Sequence, residues 1–249
     1  MKRFITLLLA AILPLVLFAQ PSKAADPEPK DIVISSYRVA VKPGQDEAFK
    51  AALAAHAQKF HKGSWKWRVG DVQSGPGGNT YQIIEGPFSW TELDSRGDLG
   101  AEHTKDYNDN ILVHCEKTTP DTYATFQPDL STVEVTKWST KVITYHLTVR
   151  PGKNALMVDV LKRYKAINAK RGYSVAVWQS AFSGENAYSM AYRTKNGWKD
   201  LDDDSPSTRK VADELFGPDG YARLQSDLAA ACSSMTSEMV EYKPELSSK

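Results

Sequence analysis

The chain has 249 residues, and its 31 Lys and Arg against 30 Asp and Glu leave a formal net charge of +1. So even a balance lacks the basic surface with which nucleic-acid binders displace counterions. There is no long block of like charge, no heptad repeat and, after the first twenty residues, no apolar segment long enough to span a bilayer.

Taken from the amino terminus, Met1-Lys2-Arg3 leads into an apolar stretch, Phe4 to Ala19, and then into the polar exit Pro21-Ser22-Lys23-Ala24. That is the pattern of a secretory signal peptide. The apolar run is short for a span of about 20 residues, and Pro14 interrupts it. Ser22 and Ala24 stand at the −3 and −1 positions, so cleavage is expected after Ala24, with residues 25–30 as a flexible mature N-terminus. Without Lys2, Arg3 and Lys23, the 31 basic residues become 28 against 30 acidic ones. The expected product is soluble, periplasmic or secreted, and free of membrane once cleaved.

Next comes Ile32 to Val41, which alternates as a strand does and ends at Pro43-Gly44. Phe49, Ala52, Leu53, His56 and Phe60 then share one helical stripe, closed near Gly63. Two strand-like runs, Trp65 to Gln73 and Thr80 to Gly86, flank the turn cluster Ser74 to Asn79 and predict a hairpin. A second helix is expected over Tyr107 to Lys117, and a last strand over Tyr123 to Gln127.

The second half of the chain repeats these landmarks in order. Tyr37, Pro43-Gly44, Trp90 and Leu93-Asp94 match Tyr145, Pro151-Gly152, Trp198 and Leu201-Asp202, each 108 positions on. Cys115 matches Cys232 at 117 and Pro128 matches Pro244 at 116, so one insertion within Asp203 to Asp213 accounts for the jump. We read a tandem duplication, with one βαββαβ repeat over residues 31–131 and another over 132–247.

That element order, with Tyr-x-Val-x-Val-Lys-Pro-Gly leading into a helix, resembles the dimeric α+β barrel superfamily, most closely its NIPSNAP-type and antibiotic-monooxygenase-type domains. The resemblance implies an α+β fold in which two ferredoxin-like repeats pack sheet to sheet as an intrachain barrel with the helices outside.

Strand alternation assigns the faces. Tyr37, Val39 and Val41, like Tyr145, Leu147 and Val149, belong under the helices, as do Trp65, Trp67 and Val69. The other face carries Arg38, Lys66, Arg68, Gln82, His146, Trp178 and Ser189, the candidate ligand-binding residues of a barrel interior. Such a basic, partly aromatic lining predicts a small anionic or aromatic ligand, although long basic side chains on an open sheet face also reach into water.

Other chemistry is sparse. His56 falls where the second repeat has Tyr164, so it is expected as a core histidine with a satisfied ring nitrogen. Adjacent His114 and Cys115 on a helix diverge by about 100°, a poor metal pair. Asp200 to Asp204 lacks the glycine and distal glutamate of a calcium loop, and reads as a helix start with Asp204 or Ser205 as cap and Pro206 in the first turn. No metal site and no cofactor is expected. Cys115 and Cys232, at matching points on the second helices of the two repeats, are expected to stay unbridged. Three functions remain open: an exported small-molecule-binding protein, a cofactor-independent monooxygenase-like enzyme acting on a small aromatic, and a structural or assembly protein without a ligand. The resemblance also touches the haem-binding chlorite dismutase group, whose haem ligand is a helical histidine in the second half. Here the histidine after Val142 is His146, on a strand.

Overall fold

The computed structural model describes residues 31–202 and 205–249. The predicted signal peptide and mature N-terminus, and Asp203 and Asp204, lie outside the described residues.

Alternating sequence gives nine strands. The first five are β1 (Val33–Val41), β2 (Trp67–Val72), β3 (Thr80–Phe88), β4 (Cys115–Thr118) and β5 (Thr122–Phe126). The others are β6 (Lys141–Val149), β7 (Ser174–Ala181), β8 (Ala187–Arg193) and β9 (Cys232–Tyr242). Eight of them close an antiparallel barrel in the order β3-β2-β9-β6-β8-β7-β5-β1, with β1 returning to β3. Short β4 pairs with the end of β1. Closure removes every long exposed sheet edge, the usual hazard of an antiparallel sheet.

Strands β5, β1, β3 and β2 form one half-barrel, and β9, β6, β8 and β7 form the other. They join along two seams, β2 with β9 and β5 with β7. Among the described residues, six helices flank the barrel: α1 (Asp46–Phe60), α2 (Trp90–Ser95), α3 (Gly100–Asp106), α4 (Asn154–Lys170), α5 (Thr208–Phe216) and α6 (Gly220–Ala231).

As the alternation predicts, the apolar faces of the strands meet the helix stripes. Val39, Val69 and Ile83 pack with Phe49 and Leu53 of α1 in one cluster, and Leu147, Val175 and Val177 with Met157 and Leu161 of α4 in another. A third cluster, Ile34, Ile84, Phe126, Ala176 and Trp178, fills part of the barrel interior. Each fully buried side chain of this size contributes about 1.5–3 kcal/mol relative to exposure.

Two tails cross between the half-barrels. After β5, Leu130 is buried in the core cluster of the second half-barrel, and after β9, Leu246 is buried in that of the first. The same bonds fix both tails. Val177 N–H donates to Ser131 Oγ at 2.8 Å and Val69 N–H to Ser247 Oγ at 3.0 Å. One residue on, Val175 N–H donates to Thr132 Oγ1 and Trp67 N–H to Ser248 Oγ.

Several local expectations need correction. The helix expected over Tyr107 to Lys117 lies earlier, as α3 (Gly100–Asp106), and the expected range holds instead a wide turn, Tyr107–Ile111, a tight one, Leu112–His114, and the start of β4 at Cys115. Ile111 is the buried anchor of this segment, and Leu112 and Val113 are exposed. Cys115 sits opposite Val41 and Cys232 opposite Val149, each at the first residue of a strand rather than on a helix, and both are free and buried. The cap of α5 is Ser207, whose Oγ accepts from Lys210 N–H, and not Asp204 or Ser205.

Candidate functional sites inside and outside the barrel

The structure divides six of the seven predicted interior residues between two groups. Arg38 of β1 donates from Nη2 to Glu238 Oε2 of β9 at 2.6 Å. His146 of β6 places Nδ1 2.9 Å from Ser189 Oγ of β8, and its Nε2 lies 3.7 Å from Glu238 Oε1. Gln82, opposite Arg38 on β3, donates to Ser36 Oγ at 3.2 Å. Trp178 and Arg68 belong elsewhere: Trp178 packs edge-on against Phe126, and Arg68 lies over Trp138 at 3.9 Å and donates to Gly86 O. Lys66 stands half-buried just before β2 and joins neither group.

Glu238 is the interior residue that strand reading missed. Burial pushes its carboxyl up, yet the His146 imidazole and the Arg38 guanidinium outweigh burial and hold it below 4.5. A buried guanidinium needs a counter-charge, and Glu238 supplies it. The Ser74–Asn79 turn covers the pair, since a Cβ at Gly77 would collide with Arg38 Nη1.

The open cavity lies outside the barrel. A cleft of about 830 Å³ runs over the outer face of β6 and β8, beneath α4 and α6. Five tyrosines line it: Tyr145, Tyr164, Tyr173, Tyr192 and Tyr221. Tyr145, Leu201 and Met235 also line it, exposed by 36%, 56% and 56% respectively. Burial pushes the Tyr192 hydroxyl up to about 12 and raises that of Tyr164, so both stay protonated at neutral pH. On the same wall, Arg171 donates to Tyr173 OH at 2.6 Å and to Thr208 Oγ1 at 2.9 Å, while its buried Nε has no hydrogen-bond partner among the described residues.

On the first half-barrel, beside α1 and α3, three histidines come together. His56 comes from the C-terminal half of α1, His61 from the residue that follows the helix, and His103 from α3. His56 and His61 are 1% exposed and His103 is half-buried. Their Nε2 atoms converge: His61 lies 3.3 Å from His56 and 3.4 Å from His103. His56 Nδ1 meets Asp106 Oδ2 at 2.7 Å and His61 Nδ1 meets Glu85 Oε1 at 3.0 Å. An ionised carboxylate only accepts, so both Nδ1 atoms carry protons. Burial, more than any other influence, holds all three imidazoles below their usual range, hence neutral at pH 7.

His56 is thus the buried, Nδ1-satisfied histidine expected, but it also belongs to a cluster of potential metal ligands that was not expected. His61 was missed because five residues separate it from His56, a spacing that one helix face does not unite. The helix stops at Phe60, and the extended backbone of His61 (φ −105°, ψ 98°) brings its ring back beside His56. A sequence signal did exist: Glu85 continues the helix-facing series Tyr81, Ile83 of β3, where a lone carboxylate demands partners.

No family model matches the sequence, and no curated protein matches it. Solved structures do resemble it. A "putative monooxygenase" from Lactobacillus acidophilus is 8% identical, with a TM-score of 0.51 over 88% of this chain and 97% of its own. A second "putative monooxygenase", from Fusobacterium nucleatum, is 8% identical, with a TM-score of 0.53 over 86% and 93%. An anthrone oxidase-like protein is 11% identical, with a TM-score of 0.52 over 87% and 92%. The antiparallel barrel flanked by helices is therefore a fold that these proteins share. At these identities the likeness concerns the fold alone.

Proposed function

We propose that this is an exported small-molecule-binding protein, built by tandem duplication, whose tyrosine-lined cleft takes a planar aromatic compound bearing an anionic group. One observation carries the reading: exposed Tyr145, Leu201 and Met235 converge in a concave site beside a buried Arg171 nitrogen that lacks a hydrogen-bond partner among the described residues. The volume falls within the range of roughly 300–1,000 Å³ usual for ligand sites. Aromatic rings offer stacking faces, and a guanidinium on the wall favours a carboxylate. Arg38 and His146, first assigned to this role, already share Glu238. Arg38 Nη1 and His146 Nε2 also lack a hydrogen-bond partner among the described residues, so the open volume of the cleft, more than the orphan nitrogen, favours it over the barrel interior.

The test pairs thermal melts in the presence of 2-naphthoate and related aromatic acids with the variants Tyr145→Ala and Met235→Glu. Both positions are exposed, so each variant should melt as the parent does while losing most of the ligand-induced shift. Equal shifts in parent and variants, or none in any protein, would remove the cleft from consideration. Oxidation of the bound aromatic is the second reading, in keeping with the names of proteins of like fold. Oxygen uptake on mixing with a binding aromatic would establish it.

A further inference from the structure

The arrangement of His56, His61 and His103 carries a conclusion independent of the cleft. His56 and His61 each commit an Nδ1 proton to a carboxylate, so each neutral ring presents a bare lone pair at Nε2. Those two lone pairs face each other at 3.3 Å in a buried site. No hydrogen bond joins them, because neither side has a proton to give. Left so, they repel, and a cation between them turns the repulsion into two bonds.

The spacing selects the cation. Imidazole nitrogens bind zinc at about 2.0–2.1 Å in a tetrahedral set, which places neighbouring ligand nitrogens about 3.3–3.4 Å apart. The two measured separations are 3.3 and 3.4 Å, and all three ligand atoms lie within 4.8 Å of one another. His103, half-buried on a seven-residue helix, is the ligand whose rotation closes the longest edge.

The surroundings are those of a supported metal site. Metal-bound histidines nearly always donate their second nitrogen to a carboxylate or carbonyl, which fixes the ring and its tautomer. Asp106 does this for His56 and Glu85 for His61. Glu85 is held in turn by Trp67 Nε1 at 3.2 Å and Arg96 Nη2 at 2.6 Å. The His61 ring is further clamped face to face on Trp67. Such a network positions an imidazole far more narrowly than core packing requires.

We propose that His56, His61 and His103 bind one divalent first-row transition metal ion, zinc by geometry, through their three Nε2 atoms, with the fourth position open toward the half-exposed His103 side. Three neutral imidazoles suit zinc, copper, nickel or iron rather than magnesium or calcium. Three protein ligands with one open position is the pattern of sites that bind or activate a further ligand, whereas purely structural zinc usually has four.

Chelator-treated full-length protein dialysed against zinc, then analysed for metal content, is expected to hold one equivalent per chain. Loaded with cobalt(II), it should show the intense visible bands of tetrahedral coordination. His103→Ala, at a half-buried position, should melt as the parent does without metal, yet lose the cobalt spectrum and most of the zinc. Asp106→Asn retains all three ligands and should weaken zinc binding by roughly 10–100-fold, a readout that survives if His103→Ala proves unstable. Parent protein that takes up no zinc and gives no cobalt bands would overturn the proposal and leave a cluster that shares a proton. Unchanged affinity in both variants would overturn it equally.

Discussion

The imidazole of His61 lies on the indole of Trp67, with ring centroids 3.6 Å apart and planes 22° from parallel. Both rings point a nitrogen at the same atom, Glu85 Oε1, from 3.0 and 3.2 Å. Arg96 Nη2 reaches that oxygen too, at 2.6 Å. One carboxylate oxygen, 7% exposed as a side chain, thus answers a guanidinium, an indole and an imidazole.

Replacing Glu85 by Ala removes the shared acceptor and strands three donors. Breaking a buried charged network from one side costs about 3–5 kcal/mol, and partial exposure of Arg96, at 22%, moves the expectation to the lower end. Urea denaturation should show a loss of about 3 kcal/mol for Glu85→Ala and a clearly smaller one for Glu85→Gln, which keeps an acceptor oxygen. Equal losses would mean that the shape of residue 85, not its acceptor, is what the core requires.

Glu238 ties stability to acid pH. Its folded pKa lies below the 4.5 of a free glutamate, so the folded state favours the ionised form. A carboxylate so depressed contributes stability that is fully present above pH 4.5 and is lost as pH falls through the folded value. The stability difference between parent and Glu238→Gln should therefore be present above pH 4.5 and shrink as pH falls below it. A gap that stays constant to pH 3 would mean that Arg38 and His146 do not stabilise the charge.

The turn over this pair has a strict requirement at Gly75. Its φ of +79° is strained for any side chain, and a Cβ there would collide with the backbone oxygen of Ser237. Gly77→Ala meets the far end of an Arg38 side chain, which can shift, whereas Gly75→Ala meets fixed backbone. Gly75→Ala should cost about 2 kcal/mol or more, beyond the roughly 1 kcal/mol of an adverse φ alone, and more than Gly77→Ala. Thermal melts of the two variants decide the order.

Alternation and helical stripes made the strands, the first helix of each half and their buried faces legible from sequence, because both report burial residue by residue, whereas the barrel was implied only by the resemblance of the element order. Tyr37, Val39 and Val41 pointed to the helices, and Arg38 to the interior, as read. What periodicity does not carry is the meeting of side chains from different elements. Glu238 stands 200 positions from Arg38, and His103 stands 42 from His61, beyond any local pattern. The cleft was invisible for a related reason. Tyr145 reads as a core residue, as Tyr37 does, and only the space left between α4, α6 and the sheet makes it, with Tyr164, Tyr173 and Tyr192, a lining.

The crossed tails lead to the last prediction. Leu130 completes the second half-barrel core and Leu246 the first, each followed by a serine that accepts from a backbone N–H of β7 or β2. Neither half-barrel is finished by its own segment. Truncating a buried leucine costs about 2–5 kcal/mol, so Leu130→Ala and Leu246→Ala should each lower stability by that order. Because the tails and the two seams bind the halves together, both variants should shift one common transition rather than melt their own half. A fragment of residues 31–132 tests the same idea more severely. It retains the Leu130 tail but lacks the Leu246 tail and both seam partners, so it should not persist as a folded monomer. It has, however, a tail equivalent to the missing one, and two copies can exchange tails and close β2 against β5 of the partner. Sedimentation with circular dichroism should find a folded dimer or aggregate. A stable folded monomer, or two separate transitions in the leucine variants, would show that each half-barrel holds its core without the other.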